Sequence, residues 1–227
     1  TVTDSSGNSD SDTARITVED TTNPTADTGS NRDVNLGSDG QVSVSFDGRA
    51  SSDNVGITSY SWDFDNGDSA SGSTASTTFY NPNTYYVELT VRDSAGNVGS
   101  DTVSVDVNDI TDPTADAGSD QTVNLGSDGQ ADVILDASGS TDNDHIASYE
   151  WDVDGDGTYE RTGSSITLSH NSDVEYSVKL KVTDRSGNSD TDNVNIDVND
   201  ITDPTAEAGG DQTVQLGNDG EVDVSLD

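Results

Sequence analysis

The run Asp152-Val-Asp154-Gly-Asp156-Gly157 sets three carboxylates at alternate positions and follows them with a residue free to turn sharply. That spacing suits oxygen-only ligation of a hard divalent cation such as calcium, which takes six to eight oxygen ligands. An EF-hand would need an acid at the twelfth position, where Gly163 stands; Glu160 is at the ninth, and no helical period flanks the loop. The loop therefore reads either as a calcium site of another geometry or as a solvated acidic turn. Asp63-Phe-Asp65-Asn-Gly-Asp68 is a less regular counterpart. Two further sets lie in the stretches VNDITDP: Asn108, Asp109 and Asp112, and then Asn199, Asp200 and Asp203. They could hold calcium, or Asp and Asn could merely favour a turn before a strand-ending proline. Asp93-Ser-Ala-Gly-Asn97 and Asp184-Arg-Ser-Gly-Asn188 read first as tight turns capped by their own side chains.

Other chemistry finds little support. The chain has no cysteine, and its many serines have no paired histidine. His145 and His170 align with Gly56 and Asn81, so a repeat-wide catalytic histidine is absent. Acid pairs are too abundant for any one to mark a glycosidase. No catalytic residue and no organic cofactor site is expected. Trp62 and Trp151 follow Tyr60 and Tyr149 by two residues, which puts each pair on one strand face. Core is the expected place for them, against the alternative of a carbohydrate platform.

The 45 acids, 38 of them Asp, face 8 bases for a net charge of −37. Nucleic acid and anionic membranes would be repelled. Low hydrophobic content, 28%, would suit disorder, but the alternation described below argues against it. Two compatible explanations remain: a surface adapted to molar salt, as in a halophilic microbe, and binding of divalent cations. No apolar run approaches the length of a membrane span.

The acids are positioned by a repeat. VNDITDPTADAG at 107–118 returns as VNDITDPTAEAG at 198–209, with a looser copy, VEDTTNPTADTG, at 18–29. Pro24, Pro113 and Pro204 step by 89 and 91 residues, as do Asp4, Asp93 and Asp184. Such a period is one small domain copied, too long for a solenoid unit. Residues 1–20 match the tail of a preceding copy, 21–109 and 110–200 are whole copies, and 201–227 match the head of another. With no Met anywhere, this reads as an internal window of a longer chain. Val42, Val44 and Phe46, then Tyr85, Val87, Leu89 and Val91, then Val103, Val105 and Val107 alternate with polar residues, and the second copy repeats the pattern. Period two over five to eight residues means half-buried strands. About seven such strands in ~90 residues predict an all-β, immunoglobulin-like sandwich.

Tyr60-Ser-Trp-Asp-Phe64 and Tyr149-Glu-Trp-Asp-Val153 resemble the Y-x-W-D-F-G-D-G signature of PKD domains. Phe46-Asp-Gly-Arg-Ala-Ser-Ser-Asp53 and Leu135-Asp-Ala-Ser-Gly-Ser-Thr-Asp142 resemble that family's D-A-S-x-S-x-D loop. The linker also resembles the calcium-binding junction of cadherins. The resemblance implies tandem sandwiches in a linear array. In such a strand order Asp39, Asp63, Asp65, Asp68, Asn108, Asp109 and Asp112 share one pole of the first module. Asp136, Asp142, Asp144, Asp184 and Asn188 share the facing pole of the second. The expectation is an extracellular surface stalk, adhesin or filament subunit of a halophile, with calcium between modules. Its partners would be neighbouring repeats and copies of itself, with no membrane contact here. The alternative is an accessory or spacer module of a secreted polysaccharide- or protein-degrading enzyme.

Overall fold

The structure, a computed structural model, describes residues 1–215, 217–221, 223 and 224. Sixteen strands and no helix form among them. A minimal hairpin, β1 (Val2–Thr3) and β2 (Ser9–Asp10), precedes the first sandwich. That sandwich comprises β3 (Arg32–Asn35), β4 (Val42–Asp47), β5 (Ile57–Asp63), β6 (Ser69–Ser71), β7 (Thr74–Phe79), β8 (Asn83–Asp93) and β9 (Val98–Asn108). The second repeats it with β10 (Gln121–Asn124), β11 (Ala131–Asp136), β12 (Ile146–Asp152), β13 (Arg161–Thr162), β14 (Ser165–His170), β15 (Val174–Asp184) and β16 (Ser189–Asn199). The larger sheets run β3-β9-β8-β5-β6 and β10-β16-β15-β12-β13; the smaller are β4-β7 and β11-β14. By contact density the chain divides into two compact units, residues 1–114, 140–148 and 182–190 against 115–139, 149–181 and 191–227.

Alternation decides which residues enter the core. Along β8 the inward set is Tyr85, Val87, Leu89 and Val91, and along β9 it is Val103, Val105 and Val107. They meet Phe46, Trp62, Phe64 and Phe79 from the other strands. Trp62 is fully buried, as is Trp151 in the second sandwich, and each indole N–H donates to a backbone carbonyl: Gly72 at 3.0 Å and Gly163 at 2.9 Å. Both are core, as expected, and neither can serve as a sugar platform.

One alignment is corrected. The β4–β7 register pairs Val42 with Phe79, and the β11–β14 register pairs Ala131 with His170. His170 therefore stands where Phe79 stands, not opposite Asn81. The longer acidic loop of the second copy advances the offset from 89 to 91 residues before β14. His170 keeps Phe79's role beside a tyrosine: its Nε2 lies 2.7 Å from the Tyr176 hydroxyl, as Phe79 stacks near Tyr85.

Of residues 1–20, assigned from sequence to the end of a preceding copy, only the β1–β2 hairpin is strand. Ile16 and Val18, in register with Val105 and Val107, are exposed. The described residues of 201–227 form no strand, and residues 216, 222 and 225–227 of that segment lie outside the description. The reason is physical. β3 and β10 are strands only because the last strand of their own sandwich pairs with them.

Before β3 the chain is tied to β9 by Asp101, which accepts from the Thr28 amide at 2.8 Å and hydroxyl at 2.6 Å. Ala117 N–H donates to Asp192 in the same way in the second copy. The Thr28 bonds hold the Asp101 carboxyl below the usual carboxylate range. A depressed carboxyl stabilises the fold above its unfolded pKa, and that contribution is lost as pH falls through the folded value. Asp101→Asn is thus expected to flatten the stability loss as the pH falls below about 4. Denaturant midpoints measured across that range check it.

Candidate metal centre

Two clusters of three aspartates have the same construction. In the first, carboxylate oxygens of Asp109, Asp142 and Asp184 all lie within 4.8 Å of one another; in the second, those of Asp20, Asp53 and Asp93 do. The members correspond one to one through the repeat. Each cluster takes one Asp from the segment ahead of a repeat (Asp109 directly after β9, and Asp20 at the equivalent sequence position), one from the loop before the tryptophan strand, and one from the end of the long hairpin strand. The Asp109 cluster lies wholly within the first compact unit.

Their place follows from strand parity. Asp109 continues the inward series Val103, Val105, Val107, and Asp184 continues Val178, Leu180, Val182. An acid in phase with a core stripe is carried inward by the pleat. Asp109 is 6% exposed and Asp184 3%.

Two asparagines brace each cluster. Asn188 donates its backbone and side-chain N–H groups to the Asp184 carboxylate, both at 2.8 Å, and its side chain also reaches the Asp109 carbonyl at 3.2 Å. Asn143 Nδ2 donates to Asp109 Oδ1 and to the Gly37 carbonyl, each at 3.2 Å. In the other copy Asn97 binds Asp93 and the Asp20 carbonyl, and Asn54 Nδ2 binds Asp20 Oδ1 at 3.2 Å. Backbone amides complete the pattern, with Thr111 N–H on Asp109 Oδ1 and Thr22 N–H on Asp20 Oδ1. For Asp93, burial would raise the carboxyl, but the Asn97 side chain and the Asn97, Gly96 and Ala95 amides outweigh it and hold it low.

After this bracing some oxygens remain without a donor. Asp109 Oδ2, Asp142 Oδ1 and Asn143 Oδ1 are buried with no hydrogen-bond partner, and so are Asp20 Oδ2 and Asp53 Oδ1. A buried acceptor left unmade costs about 1–3 kcal/mol, more when charged. Three carboxylates at this spacing also repel by roughly 3 kcal/mol per pair at an effective dielectric of about 20. Ion pairs among the described residues join Arg49 to Asp47, His145 to Asp144 and Lys181 to Glu150, and none reaches a cluster. An all-oxygen set without Cys or His suits calcium chemistry.

The acidic loop differs. Asp152, Asp154, Asp156 and Glu160 also converge within 4.8 Å. Buried Asp152 accepts Gly155 N–H on one oxygen at 2.7 Å and Gly157 N–H on the other at 3.0 Å, and no buried oxygen of this loop is left without a donor. Asp156 accepts from Thr158 N–H, which lowers its pKa, and Glu160 accepts from Val153 N–H. This loop offers mainly its exposed members. Asp63, Asp65 and Asp68 are not brought together: Asp63 caps the Asp65 amide, Asp65 takes the Tyr86 amide, and Asp68 takes the Thr77 hydroxyl.

The remaining sequence candidates fall around the clusters. Asp144 pairs with His145 at 2.8 Å, and its amide caps Asp142. Asn108 and Asp112 are exposed beside buried Asp109. Asn108 lends only its carbonyl, to Leu36, as Asn199 does to Leu125. Asp200 and Asp203 are exposed; the Asp200 amide donates to Asp173, and no counterparts of Asp142 and Asp184 follow within this sequence. From sequence, Asp93 and Asp184 read first as turn caps, with Asp184 also at the acidic pole, and Asp20 and Asp53 carry no motif that marks them as ligands. The first two are both cap and cluster member.

Gly40 fits the first cluster to its neighbour. Its φ is +73°, and a Cβ there would sit 2.2 Å from the Asn143 carbonyl oxygen. Gly129 has the same φ of +73° with open space around it. Gly40→Ala is expected to lose roughly 1–3 kcal/mol more than Gly129→Ala. Equal losses in denaturant unfolding would show that the close approach carries no cost.

The profile of the PKD domain family matches residues 21–107, and that of the K319L-like PKD domain matches 117–198. The chain carries two PKD domains in tandem. Its PKD region is 32% identical over 183 residues to the human dyslexia-associated protein KIAA0319, covering 74% of this chain and 17% of that one. Over 90 residues it is 36% identical to human low-density lipoprotein receptor-related protein 11, covering 38% of this chain and 17% of the relative. The chain thus spans about a sixth of these relatives. The solution structure of the PKD domain from KIAA 1837 protein is 27% identical, with a TM-score of 0.35 over 43% of this chain and 96% of that one. The titin I-band fragment I67–I69 is 15% identical, with a TM-score of 0.38 over 80% and 67%.

Proposed function

We infer that this chain is an extracellular structural segment, a stretch of surface stalk or adhesin, whose PKD domains are stiffened by calcium at their acidic poles. One observation carries the reading: buried carboxylate oxygens with no donor recur at equivalent positions 89 residues apart, at Asp20 and Asp109 and at Asp53 and Asp142. A solvated acidic surface would leave its oxygens in water, and a purely structural polar network would satisfy them. A divalent cation does neither; it converts crowded negative charge into a cross-link between the chain leaving one domain and the loops that begin the next. Matched PKD domains and similarity to KIAA0319 support placement on a cell surface. The test is thermal unfolding with calcium or with chelator at constant ionic strength. No calcium-specific rise in the melting temperature would leave the acids a role in solvation alone.

A further inference from the structure

We propose that Asp109, Asp142 and Asp184 are the direct ligands of one calcium-class cation, that Asn143 is its positioning residue, and that Asp20, Asp53 and Asp93 form a second, weaker copy. This deepens the reading above and rests on it. It assigns the binding to three residues from separate strand ends and loops rather than to the acidic D-x-D-x-D-G loop that most resembles a calcium motif.

The case begins with Asp109. It is 6% exposed, its Oδ1 is consumed by Thr111 and Asn143, and its Oδ2 is buried with no donor among the described residues. Asp142 is divided the same way, with Oδ2 capped by the Asp144 amide at 2.9 Å and Oδ1 buried and free. Asp184 keeps the second lone pair of each oxygen after binding Asn188. Asn143 Oδ1 is a third buried oxygen with no donor, a neutral one. The three aspartates leave bidentate contacts and water to complete six to eight ligand oxygens. Magnesium, which demands near-ideal octahedral geometry, fits a set drawn from separate strand ends and loops less well. Asn143 fixes Asp109 by donating to the oxygen that does not face the cation, the way outer-shell partners orient a ligand.

The Asp20 copy keeps the same bonds but is more open. Asp20 is half-buried where Asp109 is buried, and Asn54 is exposed where Asn143 is half-buried. More water competes there, so its affinity should be lower.

Isothermal titration of the full chain with calcium, chelator-stripped, is expected to show two steps. Asp142→Asn should abolish the tighter step and Asp53→Asn the weaker one, while Asp154→Asn leaves both. Asn143→Ala should weaken the tighter step by about 10–100-fold. Asn143→Asp, which restores an oxygen, should recover part of that loss. Asp142→Asn should also raise the melting temperature of the metal-free protein, because one of three crowded charges is gone while an amide oxygen still accepts from Asp144. A merely structural Asp142 would lower it. Retention of both steps in Asp142→Asn and Asp109→Asn, or loss of the tight step in Asp154→Asn, overturns the assignment. Either outcome leaves the calcium-stiffened reading standing if calcium still raises the wild-type melting temperature.

Discussion

Trp62→Ala is expected to remove about 3–5 kcal/mol from the first PKD domain, the usual range for deleting a buried aromatic. A domain of ~90 residues has about 5–13 kcal/mol in total, so a large fraction of its stability goes with this one side chain. The indole is fully buried, lies 5.6 Å from the Phe46 ring, and satisfies the Gly72 carbonyl. Truncation therefore opens a large cavity and removes the hydrogen bond to Gly72 together. Trp62→Phe keeps most of the volume and should cost distinctly less. Denaturant unfolding followed by circular dichroism, with Trp151 fluorescence reporting the second domain as the unchanged control, checks both variants. A loss below ~1 kcal/mol for the alanine would mean that the β5 face is not the centre of this core.

Calcium should have an effect of similar size in the opposite direction. A ligand that binds only the folded state at 100 times its dissociation constant stabilises by about 2.7 kcal/mol. For a domain of this size that raises the melting temperature by roughly 10–20 °C. Sodium chloride at equal ionic strength is the decisive control. It shortens the screening length from about 10 Å at 0.1 M to about 3 Å at 1 M and weakens repulsion among exposed acids. It cannot supply the oxygens of Asp109 and Asp142 with a partner. A rise reproduced in full by sodium would mean that the melting transition senses charge density only.

The sandwich was legible because its strands alternate cleanly. Tyr85 through Val91 and Val103 through Val107 fall on the buried face as period two requires, and the repeat doubled each signal. The two tryptophans were likewise legible as core. The acidic sites were legible only in part. Asp109, Asp142 and Asp184 can all be placed at facing poles from strand order, but Asp184 stands in a turn motif that explains itself and so does not read as a ligand. Asp184 caps Asn188, and a residue with one sufficient role invites no second. The overlooked cue was parity: Asp93, Asp109 and Asp184 each extend an inward-facing apolar series by one more step. Conversely, the spacing of Asp152, Asp154 and Asp156 drew attention because motif spacing is visible in one dimension. The amides of Gly155 and Gly157 that satisfy Asp152 are not. The shift of His170 onto Phe79's position was hidden for a related reason, since a two-residue insertion upstream moves every later alignment.

The parallel pairing of β3 with β9, Arg32 beside Val105 through Asn35 beside Asn108, has a mechanical meaning. Tension applied along the chain pulls the first and last strands of a PKD domain in opposite directions along their shared ladder. All of its rungs then bear the load together, in shear, and must fail together instead of unzipping one at a time. Rupture under force is governed by the unfolding barrier and not by equilibrium stability. A segment built this way resists being stretched better than its modest core would suggest.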